Sequence, residues 1–363
     1  MTLPLRTAGW LMASLLTTAL LAACAELRFY GQAAAGQARI LAARQPIAER
    51  LNDPQTPEDL RAQLAAFEAL REFARRELLL PVGSAYRDFV DLGRPYALWN
   101  VFAAPEFSLA PKTWCYPLIG CAAYRGYFSA SGAEAEAGRL RRQGYDVLVG
   151  GVLAYSTLGW FDDPLLSSFL ELEEDRRAAL LFHELAHRLL YVRGDTAFNE
   201  GFATAVEEEG VRRWATAKGR PEALAAWERR RAVNERLLAL VAARRAELRA
   251  IYDAPLPDAQ KRAAKTAVFA ALVGDLEKEE ERDPAFTRPR AAFAAAGANN
   301  AALVPLAAYH DRVPAFRRLL AEAGGDLEVF YAACRRLAAL PPAKREEELE
   351  RLAGTGLARD GEP

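Results

Sequence analysis

The stretch His183-Glu184-Leu185-Ala186-His187, followed by Asn199-Glu200-Gly201-Phe202-Ala203, decides the reading of this chain. On a helix, two histidines four apart project from one face, about one turn apart. Both imidazoles can then reach one metal ion, and Glu184, beside the first, can take a proton from a water held there. Glu200 offers the carboxylate that completes a set of two histidines and one acid, with a fourth position left open as hydrolysis requires. It comes thirteen positions after His187, past a turn expected at Gly194-Asp195, so a second helix can carry it back across the first. Short patterns of this kind also arise by chance on surface helices. This chain, however, has only three histidines, and two of them fall in the pattern. Leu180, Leu181, Phe182, Leu185, Ala186, Leu189 and Leu190 make the segment apolar on nearly all sides, which predicts a buried helix. Two buried imidazoles beside a buried glutamate are costly without a cation. The expected cofactor is one Zn²⁺ per chain.

Other residues compete for supporting roles. Glu207 follows Glu200 by seven positions, so helical spacing returns it to nearly the same face, where it can hydrogen-bond a histidine ligand. His310, the third histidine, stands in Tyr309-His310-Asp311. Either His310 or Tyr309 could stabilise the oxyanion of peptide hydrolysis, or the segment could simply close a helix end. Tyr155 is a rival phenol. It lies beside Ala154 in Gly151-Val152-Leu153-Ala154-Tyr155-Ser156, the candidate strand for pairing with an extended peptide, whose alternative is an ordinary core strand. Asp162 and Asp163 could hold a substrate ammonium group, although Asp-Asp-Pro is also an ordinary helix-entry sequence and that structural role is favoured.

Two resemblances bear on these motifs. Asn199-Glu200-Gly201-Phe202-Ala203, with Glu207 beyond it, resembles a segment of gluzincin aminopeptidases of the aminopeptidase N type, in which the first glutamate is the third zinc ligand. The interval from the second histidine is shorter here than in that family. The chain as a whole is more similar to a family of bacterial lipoproteins described as predicted aminopeptidases. That likeness runs through Cys115-Tyr116-Pro117, Gly120-Cys121, Ala123-Tyr124-Arg125-Gly126-Tyr127-Phe128, the stretch Ala154 to Pro164, the two-histidine segment and Tyr309-His310-Asp311. It implies an aminopeptidase activity; an endopeptidase acting in the cell envelope fits the same residues, as does a non-catalytic zinc-containing scaffold. Glu184 argues against the scaffold, because a structural site has no need of a base.

The first two dozen residues read as an export signal. Arg6 precedes an apolar run from Ala8 to Leu21, too short for a spanning helix. Leu21-Ala22-Ala23-Cys24 resembles a lipobox, so residues 1–23 are expected to be removed and Cys24 lipidated; an ordinary signal peptide or a retained anchor is the alternative. Ala25 after the cysteine suggests, by resemblance to bacterial lipoproteins, the periplasmic face of the outer membrane. Cys115 and Cys121 flank a short turn-like loop, and an oxidising compartment favours a disulfide over two packed thiols. Cys334 reads as a buried free thiol.

Net charge is −1 with both signs interspersed, which argues against a nucleic-acid partner. The expected partners are a peptide or protein substrate and, through the lipid, a membrane. The fold class is α+β, predominantly α-helical: a zincin-like peptidase body with a small β-sheet before the metal helix. It is expected as one domain over 24–354, with helices over 25–55 and 57–80, a sheet region over 81–156, and helices from 165 onward. Strands are expected at Tyr96–Ala103, Ala122–Phe128 and Tyr145–Leu153, the last broken by Gly150-Gly151. Helices are expected at 133–143, 172–192, 196–217, 221–252 and 257–282, with a loose tail over 355–363.

Overall fold

The computed structural model describes residues 26–116, 120–155, 162–307 and 312–354. A first helix covers residues 26–42 (α1) and stops well short of residue 55. Pro46 disfavours helix only at the residue before it, and the break is completed by pairing with a strand remote in sequence. Gln45–Pro46 (β1) pairs antiparallel with Asp88–Val90 (β2), and only then does Ile47–Asn52 (α2) resume the helix. Glu58–Glu77 (α3) starts after Pro57 with Glu58 and Asp59 in its first turn, where acids favour the helix dipole. Its apolar face buries Leu64, Phe67, Leu70 and Ala74.

The central sheet forms around Leu98–Pro105 (β3), two residues later than the aromatic run suggests. Its neighbours are Tyr124–Tyr127 (β6) on one side and Tyr145–Val152 (β7) on the other, both antiparallel. The strand expected at Ala122–Phe128 is in fact divided. Gly120–Ala122 (β5) turns back on Trp114–Tyr116 (β4), with Cys115 opposite Cys121 and the two sulfurs bonded. That closed hairpin takes Ala122 and leaves Tyr124–Tyr127 for the main sheet. Gly150-Gly151 does not break β7, which runs through both. Gly151 is required for packing: a Cβ there would meet the Tyr96 ring at 2.5 Å.

Alternation along the strands gives the sheet two different faces. One carries Val101, Ala103, Tyr127 and Val147 against Phe29 of α1 and Ala133, Ala137 and Leu140 of Ala130–Arg142 (α4). The other carries Phe102, Ala104 and Leu148 against Ala301 and Val304. Past Val152 the chain leaves the sheet, because the Leu153 carbonyl accepts a 2.5 Å hydrogen bond from the Ser168 hydroxyl. The candidate substrate strand Gly151–Ser156 is therefore corrected: only Gly151 and Val152 are strand, Ala154 and Tyr155 are irregular, and Ser156 lies outside the described residues. Among the described residues β7 remains a sheet edge, since its one strand partner is β3.

Leu165–Leu166 (β8) pairs parallel with β2, and Ser167–Leu170 (α5) leads into the long helices. These are Glu174–Leu189 (α6), Thr196–Ala217 (α7), Pro221–Asp253 (α8) and Asp258–Arg282 (α9), each within about three residues of its expected position. Thr287–Ala296 (α10), Val304–Ala307 (α11), Val313–Glu322 (α12), Leu327–Ala338 (α13) and Pro342–Ala353 (α14) follow. The result is mainly helical with small sheets. Phe182, Phe198, Phe202, Phe316, Phe330 and Trp214 lie at the centre of the main core, where α6 and α7 meet α12 and α13. Among the described residues no helix is long and apolar enough to cross a membrane.

Candidate metal centre

The site is built on the α6–α7 hairpin. Gly194 takes the left-handed conformation (φ 79°) that the reversal needs. Asp195 then caps α7, its carboxylate accepting from Phe198 N at 3.0 Å and from Arg345 Nε at 2.8 Å. Asn199 fixes the loop from inside: its side chain accepts from Val192 N (2.7 Å) and donates to Val192 O (2.8 Å). Gly201 lets the start of α12 approach, since a Cβ there would fall 2.9 Å from Arg312 Cβ and 3.2 Å from Arg312 backbone carbon. Together these contacts set the height at which Glu200 faces α6.

His183, His187 and Glu200 meet there, with one ligand atom from each lying within 4.8 Å of the others. His183 Nε2 is 3.2 Å from His187 Nε2 and 3.2 Å from Glu200 Oε2, and His187 Nε2 is 3.8 Å from Glu200 Oε1. Tetrahedral bonds of about 2.0–2.1 Å place neighbouring ligand atoms roughly 3.3 Å apart. The two 3.2 Å separations match that spacing, and two ring nitrogens with one carboxylate are a donor set that zinc takes. Their chemistry fits as well, because two ring nitrogens turned toward each other either share one proton or share a cation. Glu207 bonds the outer nitrogen of His183 at 3.1 Å, which orients that ring. His187 Nδ1 is buried without a hydrogen-bond partner among the described residues.

Electrostatics point the same way. Burial disfavours charge on His183, but its hydrogen bonds to Glu200 and Glu207 outweigh this and hold its pKa well above the usual value. Burial pushes His187 down to about 4, and the neighbouring His183 pushes the same way. Glu184 is pushed up to about 7, first by burial and further by Glu200, Asp163 and Glu207, with His183 opposing. Four carboxylates around two imidazoles are a strong demand for positive charge.

The other expected residues divide. Asp163 is buried (4 % exposed) and acts electrostatically on Glu184, whereas its neighbour Asp162 is exposed. Ala154 packs on the core that holds α6. Tyr155 is drawn elsewhere: its hydroxyl donates to Gln37 Oε1 at 2.5 Å, its ring meets Phe128, and the charges acting on it are those of Asp163 and Arg94. The structure thus gives Tyr155 a partner on α1 and does not place it in the converging ligand group. Tyr309, His310 and Cys24 lie outside the described residues.

Three phenols were missed. Although Tyr124 is 38 % exposed, the protein packed around its phenol pushes its pKa up to about 12, and Glu200, Glu184 and Tyr191 add to the rise. Tyr191 sits edge-on to His187 with ring centres 6.4 Å apart and is shifted upward by burial and by Glu200. Buried Tyr86 feels Glu184 and Asp163. Tyr191 follows His187 by the same four residues that separate the histidines, a signal the sequence did carry. For Tyr124 the sequence offered none beyond its place in a quoted motif.

A family model described as "Putative aminopeptidase" matches residues 28–349. The chain belongs to this family. The match spans the sheet, the α6–α7 hairpin and the helices beyond, so the ligand group lies well inside the family's shared region. No curated protein matches the chain, and neither does any solved structure.

Proposed function

We propose that this member of the aminopeptidase family is a zinc-dependent peptidase of zincin-like architecture, hydrolysing peptide bonds at the α6–α7 hairpin. The observation that carries the reading is the convergence of His183, His187 and Glu200 within 4.8 Å, with Glu184 buried beside them. These three residues would hold the ion, which supplies a Lewis acid that polarises a carbonyl and acidifies water. Glu184 accepts the proton of the attacking water on a carboxylate oxygen and passes it to the departing amine nitrogen. Glu207 keeps His183 turned inward. Tyr124, whose phenol stands within electrostatic reach of both Glu184 and Glu200, is the donor assigned to the developing oxyanion. The negative field of Glu184, Glu200 and Asp163 suits a substrate that presents an ammonium group, as a free peptide N-terminus does.

The N-terminal sequence supports export and lipidation at Cys24, with the body facing the periplasm from the outer membrane. The Cys115–Cys121 bridge accords with an oxidising compartment. The test is direct. Purified protein should contain about one zinc per chain by elemental analysis and lose hydrolysis of unblocked peptides with a chelator, regaining it with Zn²⁺. Zinc without turnover on a broad peptide panel would overturn the enzymatic reading.

A further inference from the structure

We propose that the outer face of α1 lies on the surface of the lipid bilayer and fixes the pose of the metal centre relative to it. The inference rests on the lipid anchor proposed above. From Cys24 to Leu27 is three residues, a reach of roughly 10 Å at full extension. Whatever holds residue 24 in the bilayer therefore brings Leu27 to its surface. Leu27 is 72 % exposed and Tyr30 is 42 % exposed, and their spacing places them on one side of the helix. An aliphatic side chain and a phenol beside it, with Arg28 between them in sequence, suit the headgroup boundary, where Tyr and Arg keep polar ends wet over apolar bodies.

The helix is not a loose tether. Arg125 of β6 is 4 % exposed, donates to both carboxylate oxygens of Glu26 at 3.0 and 2.6 Å, and lies over the Phe29 ring at 3.7 Å. Gln32 donates to Gly126 O at 3.2 Å and accepts from Phe128 N at 3.1 Å. Phe29 and Tyr30 both contact Tyr116 of the disulfide-closed hairpin. The chain is thus clamped to the sheet from its first described residue. Arg125 and Tyr124 are adjacent in β6 and so point to opposite faces. The clamp to α1 is on one face, and the phenol assigned to the metal centre is on the other. Because α1 is fixed to the sheet in this way, a bilayer contact through its outer face also fixes the orientation of the body that carries the metal centre.

The experiment uses full-length lipid-anchored protein in vesicles of phosphatidylethanolamine and phosphatidylglycerol. Single cysteines replace Leu27, Tyr30 or, as a reference, Val329, an exposed residue of α13; each carries an environment-sensitive fluorophore. Expected are a blue shift and several-fold quenching by nitroxide lipids at positions 27 and 30, with neither at 329. Protein that sediments with vesicles while all three positions behave alike refutes the contact and leaves the anchor standing. Protein that stays in solution refutes the anchor and the contact together. Concentration-dependent cross-linking through position 30 without quenching assigns the face to a second copy instead. A fluorophore at Ala34, an exposed position seven residues after Leu27 and so on the same side of α1, should also be quenched, and Leu27→Glu with Tyr30→Glu should abolish that quenching while keeping zinc content and activity on soluble peptides.

Discussion

At the residue scale the proposed mechanism gives the three converging donors and Glu184 different tasks, the first to hold a cation and the second to move a proton. Glu184 is not among the three converging donors, yet burial and three neighbouring carboxylates push its pKa up to about 7. Glu184→Gln keeps the shape and removes the proton acceptor, so zinc content should stay near one per chain while kcat falls by ~10²–10⁴. Near-normal turnover in that variant would falsify the mechanism. The two phenols make a paired test. Tyr124→Phe should lower kcat by ~10²–10³ with stability and zinc content little changed, as for loss of one oxyanion donor. Tyr155→Phe should leave kcat near normal and cost about 1 kcal/mol in denaturant unfolding, because it loses only the hydrogen bond to Gln37. The reverse pattern would return the catalytic role to Tyr155. His183, Glu184 and His187 were legible because helical spacing is local: four residues apart means one face, whatever the rest of the chain does. Tyr124 was not, since the influence of Glu200 and Glu184 on its phenol depends on how β6 pairs with β3 and packs against elements far away in sequence.

At the scale of elements, what matters is how α7 is held at the right height against α6. Asn199, only 2 % exposed, spans the loop by bonding both the N–H and the carbonyl of Val192. Asn199→Ala leaves both Val192 backbone groups without this partner in a half-buried loop and should cost roughly 1–2 kcal/mol, about the net worth of two hydrogen bonds with partial relief by water. Because Glu200 is the next residue, zinc affinity measured by competition with a chromophoric chelator should fall as well. Unchanged affinity in a destabilised variant would show that Asn199 stabilises the fold without placing the ligand. Helix positions here were readable from caps and periodicity: the 196–217 expectation coincides with Thr196–Ala217. The break in the first helix and the division of the strand at Ala122–Phe128 were not. Both arise from partners remote in sequence, β2 in one case and the closed β4–β5 hairpin in the other.

At the scale of the whole molecule, the α8–α9 arm has its own core around Leu237, Val241, Phe269 and Leu272, and it grips the sheet through a buried polar cluster. Lys265 of α9 donates to Asp146 Oδ2 of β7 at 2.5 Å and to Glu106 O at 3.0 Å. Asn300 completes the cluster. Its N–H donates to Asp146, its amide group to the carbonyls of Pro105, Glu106 and Ser108, and its side-chain oxygen accepts from the Tyr252 hydroxyl. Lys265→Met removes the ammonium that donates to Asp146 and leaves its carboxylate in a largely buried place. Breaking such a pair costs ~3–5 kcal/mol, mostly because an uncompensated charge remains. Adding Asp146→Asn should recover a good part of that loss, since the amide oxygen still accepts from Asn300 N and carries no charge to bury. Below the unfolding transition both variants should keep about one zinc per chain and near-normal kcat, because the arm supports the sheet on the strand away from Tyr124. A fall in kcat without a fall in stability would instead make this link the device that sets the sheet, and Tyr124 with it, at its working distance from the centre.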